Sequence, residues 1–204
     1  MIVGTLILNP TKDSIISLAK GKFDFMLLDF QHSAFTWETA NFVIETVYTY
    51  TDKKIWIRVS NNNFADINKA YDIGADGVVV PLINTMNDLK NCINAARYKP
   101  LGNRSWGPVR LRENYHSYEN YFKNANSSQL LFPQIESLQG LNNLPDMCTL
   151  DGWDGVMIGP SDLAISMGEV PNFPPKSQLV KNKMEDIINI CKNNNKIPGL
   201  FAGS

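Results

Sequence analysis

The stretch FMLLDFQHSAFTWETANFVIETVYTYTDKKIWIRVS, residues 25–60, decides the fold. It opens on a short apolar run, Phe25–Leu28, and closes on another, Ile55–Val59. Runs of this length without a strict apolar/polar alternation read as strands covered on both faces, the habit of parallel sheets. Between them Trp37, Ala40, Val43, Ile44, Val47 and Tyr48 form one apolar stripe at helical spacing. Thr36 stands where the cap of that helix belongs. Strand, helix, strand is a βαβ unit. Outward from it the pattern repeats, with further runs at Ile2–Leu8, Gly77–Val80, Leu130–Ile135, Gly155–Ile158 and Ile197–Ala202. Two more stripes lie between runs: Met86, Leu89, Ile93 and Ala96, then Val180, Met184, Ile187, Ile188 and Cys191.

This rhythm predicts an α/β fold with a parallel sheet. Doubly wound sheets and closed barrels share it. No GxGxxG follows the first run and no phosphate-binding P-loop occurs, which weakens the nucleotide-binding alternatives. Seven strands exceed most small open sheets and fall one short of a closed eight. The sequence stops at Gly203–Ser204, directly after the seventh run, so position 204 reads as an interruption. The segment Arg97–Ser128, rich in Asn, Tyr and Arg, is the longest irregular stretch and reads as a functional loop or lid.

The 204 residues suit one domain with a substantial core, at 44% apolar and 19% charged residues. A formal net charge of −1 recommends neither nucleic acid nor a membrane surface as partner. Attraction for an anionic substrate must then come from a few placed residues. Cys92, Cys148 and Cys191 lack metal-ligand spacing, and their odd number without a CxxC pattern points to a reducing, cytoplasmic setting. The N-terminal MIVGTLILNP has no basic leader and reads as a strand. No stretch approaches the roughly 18 apolar residues of a membrane span.

In a parallel barrel, chemistry gathers at the C-terminal ends of the strands. Asp29, Gln31 and His32 follow the second run, and Arg58 sits within the third. Gln134 and Glu136 end the fifth, and Asp162 follows the sixth in Gly159-Pro160-Ser161-Asp162. Taken singly, Glu136 reads as a solvated strand-end charge and Asp162 as a helix cap. As a pair closing consecutive βα units, they converge on one divalent cation, and two hard carboxylates suit Mg²⁺ or Mn²⁺ with positions left for substrate. His32 lies three residues past Asp29, an arrangement for a general base or acid. His116, in the long irregular segment, has no evident partner. Arg58 is a cation inside a strand, where burial demands an anion, such as a carboxylate or an enolate oxygen. None of the fourteen lysines falls in a predicted strand, which removes the desolvated lysine of a Schiff-base enzyme and leaves a metal as electrophile.

Together, LLDFQHSAFTWE, IRVSNNN, GADGVVVPLINT, ARYKPLGNRSWGP, FPQIES, GLNNL and WDGVMIGPSDLAISMG resemble the HpcH/HpaI aldolases, in the family's order, from the first strand to Phe201. The resemblance implies a TIM-type (β/α)8 barrel truncated after its seventh strand, residues 1–204 forming one barrel domain without the C-terminal strand and helices. It implies a class II lyase that cleaves 4-hydroxy-2-oxo acids to pyruvate and an aldehyde, using Mg²⁺ or Mn²⁺, with Co²⁺ a further option. The family's metal ligands fall on Glu136 and Asp162, its catalytic histidine on His32 supported by Asp29, and its oxyanion-stabilising arginine on Arg58. Gln134 matches a glutamine beside the substrate, and Gly159, Pro160 and Ser161 match the cradle of the pyruvate carboxylate. Asp72 matches an aspartate that reaches the histidine of a neighbouring subunit, which implies a homo-oligomer. The sequence departs from the family at Gln31, where a Glu is common, and in lacking the eighth strand. Two other readings share these residues: oxaloacetate decarboxylation or acyl-CoA lysis at the same site, and an inactive truncated remnant with a binding role.

Overall fold

A computed structural model describes residues 2–7, 10–110 and 117–201; His116 lies outside them. The described residues contain seven strands: β1 (Gly4–Ile7), β2 (Phe25–Asp29), β3 (Lys54–Arg58), β4 (Gly77–Val80), β5 (Leu130–Ile135), β6 (Gly155–Ile158) and β7 (Ile197–Leu200). They form one sheet in sequence order, and every neighbouring pair is parallel. Helices intervene: α1 (Lys12–Ala19), α2 (Trp37–Tyr50), α3 (Phe64–Asp72), α4 (Met86–Ala96), α5 (Tyr118–Ser128), α6 (Leu138–Met147), α7 (Pro160–Ser166) and α8 (Gln178–Asn193). The sheet curls into a TIM-type barrel open between β1 and β7, as the seven apolar runs predict.

Side-chain parity explains both apolar layers. Successive residues of a strand point to opposite faces. Met26 and Leu28 of β2, Ile55 and Ile57 of β3, and Val78 and Val80 of β4 pack against the helices in the larger core. Leu27, Trp56, Val79, Phe132 and Met157 point inward and make a second, interior core with Phe25, Leu130 and Phe201. Large rings fill this interior: Phe25 stacks on Trp56 with centroids 4.3 Å apart, and Trp56 meets Phe132 at 4.8 Å. Neighbouring strands make room for them. A Cβ on Gly77 would stand 2.8 Å from the Trp56 ring, so β4 must be bare where β3 is bulky. Extending the same parity to the C-terminal strand ends turns Asp29, Arg58 and Gln134 inward.

Two expectations need correction. Arg97–Ser128 is not one long loop, because α5 occupies its last third, started by the Ser117 hydroxyl accepting the N–H of Asn120. Only Tyr121 and Ala125 of that helix are buried, a stripe too thin to register in the sequence. Lys54 lies inside a strand, as the first residue of β3. It sits at the N-terminal end, its side chain 54% exposed and 3.5 Å from Asp76, so it offers no desolvated amine at the C-terminal face.

Candidate active site

The centre of the C-terminal face is a chain of buried hydrogen bonds that crosses the barrel from β2 to the β4–α4 turn. Asp29 and Arg58 are Cα partners in the β2–β3 register. The guanidinium grips the carboxylate with a two-pronged fork, Nε to Oδ1 at 2.8 Å and NH2 to Oδ2 at 2.6 Å. Its third nitrogen, NH1, donates to Gln134 Oε1 at 3.4 Å. Gln134 Nε2 in turn donates to Glu136 Oε2. The other Glu136 oxygen, Oε1, accepts the backbone N–H of Leu82 at 2.8 Å. Asp29, Arg58, Gln134 and Glu136 are all buried. The ring of Phe201 lies over the Arg58 guanidinium, 4.9 Å from centroid to carbon, adding an apolar wall.

Burial would raise the Asp29 carboxyl, but the hydrogen bonds and charge of Arg58, with the N–H groups of Gln31 and His32, hold it below the ordinary value of 3.8. The folded state therefore binds this proton less readily than the unfolded chain does. The stability Asp29 contributes is complete above the unfolded value and disappears as pH falls through the lower folded value. Acid titration of the metal-free protein, followed by its urea midpoint, should show this loss, and Asp29→Asn should flatten the same limb of the profile.

Glu136 responds in the opposite sense. Burial raises its pKa and the negative charge of Asp162 adds to this, outweighing the hydrogen bonds from Gln134 and Leu82 and the charge of Arg58. Asp162, near enough to raise Glu136 in this way, forms with it a donor set that a divalent cation would stabilise. Each Glu136 oxygen still has a lone pair beyond its hydrogen bond. The residues present therefore fit a hard divalent ion bound by two carboxylates, and no cluster of three or more His, Cys, Asp or Glu exists among the described residues. Gly159 lets β6 come this close. A Cβ there would stand 2.7 Å from the Cβ of Glu136. Gly159→Ala should push Glu136 aside, and a Mn²⁺ ion held by this carboxylate pair should then bind roughly 10- to 100-fold more weakly, the range for lost outer-shell support, as titration by electron paramagnetic resonance would measure.

The remaining residues singled out from the sequence lie at varying distances from this chain. His32 is exposed on the β2–α2 loop, and Asp29 engages its backbone N–H, whereas the fork of the carboxylate is taken by Arg58. Gln31 donates its N–H to Asp29 Oδ1 at 3.0 Å, while its own Oε1 is buried without a partner among the described residues. Asp162 sits in the first turn of α7, just past Gly159, Pro160 and Ser161. Asp72 stands apart. It ends α3 on the outside of the barrel, where Arg104 donates to its Oδ1 at 2.9 Å. It lines a largely apolar groove of about 680 Å³ with Trp37, Phe64, Gly107 and Val109. Leu82, which completes the Glu136 contacts, carries no signal in the sequence, because it contributes a backbone N–H.

A curled parallel β/α sheet with buried ionic and amide groups on its C-terminal strand ends is the architecture of a barrel enzyme. The chain belongs to the HpcH/HpaI aldolase/citrate lyase family, which matches residues 7–197. That family comprises enzymes that cleave carbon–carbon bonds. A 4-hydroxy-2-oxo-heptane-1,7-dioate aldolase from Klebsiella pneumoniae subsp. pneumoniae is 31% identical over 188 residues, covering 92% of this chain and 70% of the relative. The crystal structure of an HpcH/HpaI aldolase from Desulfitobacterium hafniense superimposes with a TM-score of 0.88 at 20% identity, over 100% of this chain and 78% of that one. The citrate synthase SbnG has the same fold, with a TM-score of 0.86 at 22% identity over 100% of this chain and 78% of its own. No helix among the described residues is long and apolar enough to cross a membrane.

Proposed function

We propose that this chain is a divalent-metal aldolase that reversibly cleaves a 4-hydroxy-2-oxo acid into pyruvate and an aldehyde. The observation that carries the reading is the buried chain from Asp29 through Arg58 and Gln134 to Glu136. Glu136 and Asp162 would hold Mg²⁺ or Mn²⁺ (Co²⁺ has compatible chemistry), supplying positive charge to the keto and carboxylate oxygens of the 2-oxo acid. Arg58 has five N–H donors and uses three of them on Asp29 and Gln134. The other two are available to the C2 oxygen as it gains charge while the C3–C4 bond breaks. His32, exposed beside the site, takes the proton of the C4 hydroxyl, so that C4 leaves as the aldehyde. A solvent proton added at C3 completes pyruvate. The turn Gly159–Asp162 offers first-turn N–H groups of Ser161 and Asp162 to the substrate carboxylate, since Pro160 has none to give.

The outward position of Asp72 accords with its serving a neighbouring copy's site in a homo-oligomer. The three thiols are free and burial raises the pKa of each, which suits a cytoplasmic setting. Solvent deuterium exchange into the methyl group of pyruvate, with Mn²⁺ or Mg²⁺ and after chelation, tests the reading without a choice of aldehyde. Metal-dependent exchange that disappears in Glu136→Ala, with aldol cleavage lost in His32→Ala, is the expected result; a folded, metal-loaded protein that exchanges nothing would overturn it. Turnover of oxaloacetate beside a 4-hydroxy-2-oxo acid separates aldol cleavage from decarboxylation.

A further inference from the structure

Leu82 adopts a left-handed backbone conformation, with φ of 59°. For a residue with a branched side chain this conformation is disfavoured, and Gly or Asn would take it more readily. The turn is fixed from two directions. Its N–H donates to Glu136 Oε1 at 2.8 Å, and the next N–H, of Ile83, donates to the carbonyl of Gln134 at 3.2 Å. On either side Pro81 and Ile83 are buried, whereas Leu82 is 54% exposed at the rim of the C-terminal face. The strain therefore places two things: a donor on the carboxylate at the centre of the site, and an apolar side chain in solvent at its mouth. Glycine would supply the first without strain; only the second calls for leucine.

Building on the aldolase reading, we infer that Leu82 is a positioning and specificity-determining residue: its N–H fixes Glu136, and its side chain receives the apolar part of the aldehyde. Two substitutions separate these roles. Leu82→Asn tolerates the left-handed turn and removes the apolar surface. Leu82→Ile keeps the surface but is β-branched, so it drives the turn out of place. Mn²⁺ affinity should be ordered with the Ile variant below the Asn variant, because only Leu82→Asn keeps the turn. In Leu82→Asn the preference for hexanal over glycolaldehyde in aldol addition should fall roughly tenfold or more, the scale of lost apolar contacts. In Leu82→Ile, Mn²⁺ should bind roughly tenfold more weakly than in the parent. An unchanged preference in the Asn variant overturns the substrate contact, and unchanged Mn²⁺ affinity in the Ile variant overturns the positioning role. Absence of exchange in the parent protein overturns the aldolase reading instead, and the Mn²⁺ titrations still decide whether Leu82 orders Glu136.

Discussion

Arg58→Ala should lose at least about 10²- to 10³-fold in the rate of metal-dependent pyruvate exchange, the usual consequence of deleting one oxyanion donor. It should also cost about 3–5 kcal/mol of stability, because Asp29 is left charged and buried without its partner. The two side chains are only 10% and 3% exposed, so water cannot replace what the guanidinium gave. These effects must be separated, since a loss of activity through unfolding would say nothing about chemistry. Arg58→Met combined with Asp29→Asn removes the charges from both positions, and replacing a buried ion pair by neutral groups of similar volume is often neutral or stabilising. That double variant should recover most of the urea midpoint and none of the exchange. Arg58→Lys supplies the third comparison: it retains the charge but cannot form the fork that meets both Asp29 oxygens while reaching Gln134. It should fall between wild type and alanine in stability and stay near alanine in rate. Wild-type exchange in a folded Arg58→Ala protein would remove Arg58 from the mechanism.

What the sequence reveals of this molecule follows from which groups carry the interactions. Inner parity is legible because β2, β3 and β5 are short and their last inward positions hold Asp29, Arg58 and Gln134, polar residues ending apolar runs. Glu136 and Asp162 are legible for the same reason, as charges just past strand ends. Backbone groups leave no such trace. The N–H of Leu82 donates to Glu136 at 2.8 Å, yet a leucine after Val80-Pro81 looks like one more apolar residue. Helix α5 escapes for a quantitative reason, since two buried residues in eleven do not make a stripe. Asp72 shows a different gap: its motif is readable, but its neighbours in this chain, Arg104 and the outer groove, say nothing of what a second copy would bring.

Arg97 is the clearest case of a residue whose importance only the fold displays, for in the sequence it simply begins an irregular segment. It caps α4 and is fully buried at the N-terminal ends of the strands, the face opposite Arg58. Its Nε donates to the carbonyl of Gly152 at 2.8 Å, NH1 to that of Gln129, and NH2 to Asp154 Oδ2 at 2.6 Å. Asp154 Oδ2 also accepts the N–H of Leu131 at 2.7 Å, so one guanidinium joins α4 to the starts of β5 and β6. Arg97→Ala should cost about 3–5 kcal/mol from the broken ion pair, with the two stranded carbonyls adding to it. Against a total stability of about 5–15 kcal/mol, this is a large share of the margin that keeps the chain folded. The contrast with Arg58 is in what the surviving molecules do. Among the described residues no hydrogen bond of Arg97 reaches the C-terminal face, so exchange per bound Mn²⁺ should remain near wild type although the urea midpoint falls. A fall in the rate per bound Mn²⁺ comparable to that of Arg58→Ala would show that the two ends of the barrel are coupled, and would defeat the assignment of stability to one face and chemistry to the other.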